Sequence, residues 1–185
     1  MNLRPGVFLD RDGTILDEVG YLNHVNRYRM LPGAADAVAR LSAAGLPVFV
    51  VSTQSGVAQG YFPESVVGEV NALMERDLEK AGAKLTAIYY CPHGSAEKCE
   101  CRKPRLGMVQ RAAKEFGIDP ARSFFVGDRR SDIELGHAAG GKSILLRTGY
   151  GEGELAWHMD GWPRTPDFVA ADLNEAVDWI LGNQR

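Results

Sequence analysis

The sequence has no long hydrophobic run, no spread of cysteines and no large excess of charge of one sign. Its longest apolar stretches, such as Leu46 to Val51, reach five or six residues, far short of the ~20 that cross a bilayer. Met1 to Gly6 holds no apolar region of a secretory signal and runs straight into a strand-like segment. The three cysteines all fall between positions 91 and 101, whereas a disulfide-stapled secreted domain would spread an even number along its length. Twenty-one basic and 24 acidic residues sum to −3, which leaves no broad basic field for nucleic acid or anionic lipid. A cytoplasmic protein without nucleic-acid or membrane partners is therefore expected. What is present is 185 residues, 45% hydrophobic and 24% charged. That is enough chain to bury roughly 70% of its unfolded surface as one domain over 1–185 without covalent staples.

Short apolar runs alternate with helix-period stretches, and no internal repeat is visible. Val7–Leu9, Pro47–Val51, Ala87–Tyr90, Ser123–Val126 and Ser143–Leu146 read as buried strands, with Phe168–Val169 as a sixth. Helices are predicted over Gly33–Ala44, Pro63–Ala81, Met108–Phe116, Ser131–Ala139 and Asn174–Leu181. The first would bury Ala34, Val38 and Leu41; the second, Val66, Val70, Leu73 and Leu78. Gly45 and Gly117 stand where left-handed residues close helices. The Gly- and Pro-rich stretch from Tyr150 to Pro166 reads as a loop, with Trp157 and Trp162 as packing residues. This alternation predicts an α/β doubly wound parallel sheet covered by helices on both faces. Its functional loops should lie at the carboxyl ends of the strands.

Asp10-Arg11-Asp12-Gly13-Thr14 follows the first strand directly. Carboxylates at i and i+2 on extended chain point the same way. Such a pair can hold a divalent cation, or divide the roles of nucleophile and general acid; Asp-Gly also suits a plain turn. A calcium loop is excluded by register, since its sixth position would be Ile15 and its twelfth Tyr21. Ser52 follows the second strand, Arg102-Lys103 the third and Asp128 the fourth. Acidic metal ligands beside a hydroxyl and an ammonium that hold phosphate oxygens suit phosphoryl chemistry.

Cys91-Pro92-His93 and Cys99-Glu100-Cys101 form two i, i+2 pairs joined by five residues. They suit a closed Cys₃His tetrahedron around structural Zn²⁺, with no open position for catalysis, on a loop (91–101) that delivers Arg102 and Lys103. Gly136 to Ser143 matches the spelling of a nucleotide phosphate loop, Gly-x4-Gly-Lys-Ser. That loop must leave a strand and open a helix. This segment closes a helix and enters a strand, which puts Lys142 at the wrong end of the sheet.

With Asp10 to Thr14, Ser52, Lys103 and Gly127-Asp128-x-x-x-Asp132 in this order, the chain resembles the haloacid dehalogenase (HAD) superfamily. The segments Gln54-Ser55-Gly56, Tyr89 to His93, Cys99 to Pro104 and Arg147-Thr148-Gly149 are most similar to its heptose 1,7-bisphosphate 7-phosphatase branch and the sister histidinol-phosphate phosphatases. The resemblance implies that Asp10 is a nucleophile forming an aspartyl-phosphate and that Asp12 is the general acid/base. It further implies Mg²⁺ on Asp10, Asp128 and the backbone carbonyl of Asp12, and phosphoryl stabilisation by Ser52 and Lys103. Arg102 would recognise the rest of the substrate. Glu18, Val19, Gly20, Tyr21, Ser52, Thr53, Gln54, Ser55 and Arg129 would line the pocket. Twenty residues between Asp12 and Gly33, and 49 between Ser52 and Arg102, leave no room for a separate cap domain. A capless, Mg²⁺-dependent monomer acting on a small sugar bisphosphate is the expectation. A catalytically silent zinc-stabilised binding domain is the alternative from another class, disfavoured by two adjacent, mutually repelling carboxylates.

Overall fold

The computed structural model describes residues 3–184. Six strands, β1 (Val7–Leu9), β2 (Val48–Thr53), β3 (Ala87–Cys91), β4 (Phe124–Gly127), β5 (Lys142–Leu146) and β6 (Phe168–Ala170), form one parallel sheet in the order β3-β2-β1-β4-β5-β6. The chain winds outward through β2 and β3, then returns to the other side of β1 with β4. The switch point therefore lies between β1 and β4, and a crevice is expected outside their carboxyl ends.

Alternate residues of the central strands feed two cores, as a sheet covered on both faces requires. Val7, Leu9, Val48, Val50, Phe124 and Val126 point to one side, where they meet α1 (Ala34–Ala43), α2 (Glu64–Lys80) and α6 (Leu173–Gly182). Phe8, Phe49 and Phe125 point to the other, against α3 (Gly107–Phe116) and α4 (Arg130–Ala138). These three phenylalanines are register partners on adjacent strands, and their rings stack at 5.0 and 4.8 Å. Each stacked pair adds about 0.5–1.5 kcal/mol beyond its buried area.

Two sequence expectations need correction. The buried stripe of α2 is Val67, Val70, Asn71, Met74 and Leu78, and Val66 and Leu73 are only half-buried. The stripe is turned because it includes Asn71, a polar residue that hydrophobic spacing does not reveal. The stretch after Tyr150 is not a plain loop. It forms α5 (Gly151–Trp157) and a 3-10 turn over Met159–Gly161. Trp162 packs with Ile133 and Leu145, but Trp157 is 81% exposed, so only one of the two tryptophans packs.

Helix α5 can start there because Gly151 has no side chain. A Cβ at that position would lie 1.6 Å from the Leu146 carbonyl oxygen, a backbone atom that cannot step aside. Gly151→Ala should therefore cost about 3 kcal/mol. Gly153→Ala, with nothing within 4 Å of its Cβ, should stabilise by about 0.5–1 kcal/mol through helix propensity. Denaturant unfolding of both variants checks this, and similar effects on the two would refute the packing argument.

Candidate active site

The carboxyl ends of β1, β2 and β4 and the loop after β3 converge on one ammonium group. Lys103 Nζ lies 2.8 Å from Asp10 Oδ1 and 2.6 Å from Asp132 Oδ1, and it donates to the Val51 carbonyl at 3.0 Å. All three of its donors are thus engaged. Burial alone would drive the proton off Lys103, but the charges of Asp10 and Asp132 overcome it and push its pKa up. Asp132, in the first turn of α4, also accepts the Arg129 backbone N–H at 3.1 Å.

Asp128 lies fully buried beside this pair, and carboxylate oxygens of Asp10, Asp128 and Asp132 all fall within 4.8 Å of one another. Fully ionised, three carboxylates around one lysine would carry two excess negative charges. Burial raises Asp10 to about 7 against the opposing pull of the Lys103 charge, with Asp132 adding repulsion, and burial together with repulsion from Asp10 and Asp132 raises Asp128 to about 8. Asp128 Oδ2 accepts the Tyr150 N–H at 2.8 Å, whereas Asp128 Oδ1 is buried with no partner. An unpaired buried acceptor among clustered carboxylates fits a hard divalent cation that takes oxygen ligands. Gly13 and Gly149 (φ +81° and +55°) press their backbones against this carboxylate. A Cβ at either would lie 2.1 Å from Asp128 Oδ2.

Above the cluster opens a cleft of about 470 Å³. Of the residues expected there, Asp10, Asp12, Glu18, Gly20, Tyr21, Thr53, Gln54, Ser55, Arg102, Lys103 and Arg129 line it. Ser52 sits just beneath, its Oγ accepting from Gln54 Nε2 at 2.6 Å. Gln54 Nε2 also reaches Asp12 Oδ2 at 2.8 Å. Val19 is placed elsewhere: its side chain packs on the larger core and its carbonyl accepts from Arg27. Sequence reasoning missed Leu22, Gln59, Ser131 and Tyr150 on the cleft wall. Tyr150 lies under Arg129, whose guanidinium carbon is 3.7 Å from the ring centroid. Asp132 stood in the Gly-Asp-x-x-x-Asp pattern, but its contact with Lys103 arises only in the fold.

At the end of β3, Cys91, His93, Cys99 and Cys101 present one ligand atom each within 4.8 Å. Cys91 Sγ and Cys99 Sγ are 3.7 Å apart, close to the ~3.8 Å between two sulfurs bound 2.3 Å from one tetrahedral ion. His93 Nδ1 lies 3.2 Å from Cys101 Sγ and 3.5 Å from Cys91 Sγ. The four side chains fit a zinc ion. Arg102 leaves this loop and donates to the His93 carbonyl at 3.2 Å.

A sequence model of the family described as HAD-hydrolase-like matches residues 100–176. The chain is 39% identical to a D-glycero-D-manno-heptose-1,7-bisphosphate 7-phosphatase of Thermosynechococcus vestitus, across 96% of this chain and 95% of that one. The chain belongs to the HAD-like phosphatases. A second member, the D-glycero-beta-D-manno-heptose-1,7-bisphosphate 7-phosphatase of Escherichia coli K12, is 36% identical across 97% of this chain and 89% of its own. The solved D,D-heptose 1,7-bisphosphate phosphatase of B. bronchiseptica, in complex with magnesium and phosphate, superposes with a TM-score of 0.88. It is 32% identical and covers 96% of this chain and 98% of its own. The parallel sheet and its crevice at the switch point are thus those of a HAD-like phosphatase.

The raised carboxylate pKa values set a pH signature. Unfolded aspartates titrate near pH 4, so between there and about pH 8 the folded protein binds more protons than the unfolded chain. Stability contributed by these groups therefore falls as pH rises through that window. Protein free of added divalent cation should lose more thermal stability between pH 5 and pH 8 than Asp128→Asn does. Saturating Mg²⁺ should flatten the difference. Equal slopes for the two proteins in melting experiments would contradict this assignment.

Proposed function

We propose that the protein is a Mg²⁺-dependent phosphatase that removes the C7 phosphate of heptose 1,7-bisphosphate through an aspartyl-phosphate. The observation that supports this reading is the pairing of Asp10 with Lys103 on the floor of an open cleft that Asp12 also lines, beside a buried Asp128 whose Oδ1 has no partner. Mg²⁺ would be held by Asp10, Asp128 and the Asp12 carbonyl, and would supply charge neutralisation at the phosphoryl group. Asp10 attacks phosphorus, and the bond to the leaving oxygen breaks as Asp12 gives that oxygen a proton. Asp12, now a carboxylate, takes a proton from the water that cleaves the aspartyl-phosphate. Lys103, fixed by three partners, keeps Asp10 oriented and screens the incoming phosphate charge.

Only one of the two substrate phosphates can sit beside Asp10. Arg102, on the cleft wall and adjacent to Lys103, is suited to the distal one. The protein is read as a cytoplasmic monomer. The Cys₃His loop is read as a structural zinc site that holds Arg102 and Lys103 in place.

Asp10→Asn should abolish phosphate release without unfolding the protein. Near-normal turnover in that variant would overturn the nucleophile, and faster release from histidinol phosphate than from heptose 1,7-bisphosphate would overturn the substrate. Arg102→Ala should lower kcat/KM for the bisphosphate by roughly 10–100-fold, the scale of one charge-assisted contact. With p-nitrophenyl phosphate the loss should be several-fold at most. For the second metal, elemental analysis of protein purified without chelator should give one zinc per chain that survives dialysis, because three thiolates and an imidazole close the site. Absence of zinc would refute the tetrahedral reading.

A further inference from the structure

Arg11 is the largest fully buried side chain in the described residues, 1% exposed, yet it does not line the cleft. A guanidinium is not placed in a protein interior without partners that meet its charge and its donors. Here Nε lies 3.2 Å from both carboxylate oxygens of Asp12, and Nη2 lies 3.0 Å from Asp12 Oδ2. Nη1 donates to Asn71 Oδ1 at 3.0 Å. Asn71 is the buried polar residue that turns the face of α2, 60 positions away in sequence. The fork is therefore gripped from behind by α2 and can release Asp12 only by breaking a buried contact.

We propose that Arg11, locked by Asn71, is the positioning residue for proton transfer by Asp12. The inference rests on the reading of Asp12 as general acid/base. Arg11 lies behind Asp12 and Gln54 meets Oδ2, so the carboxyl group keeps its orientation at the cleft floor. As the proton passes from Asp12 to the leaving oxygen, negative charge grows on a carboxylate already paired with a fixed cation. That arrangement favours the transferring state over the starting one. In kcat/KM, which reports the steps up to formation of the aspartyl-phosphate and not its later hydrolysis, the benefit exists only where the leaving oxygen needs a proton. A sugar alkoxide does; p-nitrophenolate, a stable anion, does not.

The leaving group is thus the readout that a purely structural role would not move. Arg11→Met should lower kcat/KM for heptose 1,7-bisphosphate by about 100-fold, within the range of general acid–base catalysis, and for p-nitrophenyl phosphate by about threefold at most. Asn71→Ala leaves Arg11 in place and should show the same bias at about 10-fold, which keeps the test open if Arg11→Met does not fold. In an Asp12→Asn background, Arg11→Met should add little further loss, since both act on one proton transfer. Equal losses on the two substrates for the Arg11 and Asn71 variants, or full additivity with Asp12→Asn, would overturn the inference. If Asp12→Asn itself affects both substrates equally, the reading of Asp12 as proton donor falls first, and the two failures are told apart.

Discussion

The ammonium of Lys103 is the atom group on which the site depends. Its partners come from the segment after β1, the end of β2 and the first turn of α4, while Lys103 itself arrives from the loop after β3. Four stretches that are remote in sequence are thereby tied at one point. Each contact uses one N–H, so the ammonium cannot rotate to a new set of partners without exposing a buried carboxylate. Asp10 and Asp132 keep it charged despite burial. The surplus of negative charge that remains is the reason a divalent cation suits the cluster.

Much of this was legible beforehand, for identifiable reasons. Strands buried on both faces spell themselves as apolar runs, and loops at their carboxyl ends collect the polar residues, so Asp10, Ser52, Lys103 and Asp128 could be placed from spacing. The four zinc-type ligands were legible because every cysteine falls in one short segment. What escaped are contacts made in space only. Asn71 lies within an otherwise apolar stripe because it answers Arg11, and no periodicity encodes that. Tyr150 reaches the cleft because its backbone amide caps Asp128 and its ring lies under Arg129. Trp157 has the composition of a packing residue but stands at an exposed turn of α5.

The rim of the cleft is built differently from its floor. Arg27 donates to the carbonyls of Tyr21 and Val19 at 2.7 and 3.0 Å, and Tyr21 meets Tyr61 edge-on at 4.8 Å. The segment carrying Glu18, Gly20 and Tyr21 is thus shaped by surface hydrogen bonds, one aromatic contact and the anchoring of Val19 and Leu22 in the larger core, while the floor is fixed by buried charge. Rim and floor are accordingly held by contacts of different kinds, and none of the rim contacts named here involves Lys103.

The backbone pressed against Asp128 limits how this protein can diverge. Gly13 and Gly149 belong to segments far apart in the chain, but both are denied a side chain by the same carboxylate oxygen. Gly127 is under the same restriction from Asp132, whose Oδ2 lies 2.2 Å from where its Cβ would stand. A side chain at any of these positions would force the acidic residue it touches to move from its present place. Three separate stretches of the backbone are therefore kept bare by two acidic side chains, so the shape of the chain around the cluster and the placing of its carboxylates can change only together.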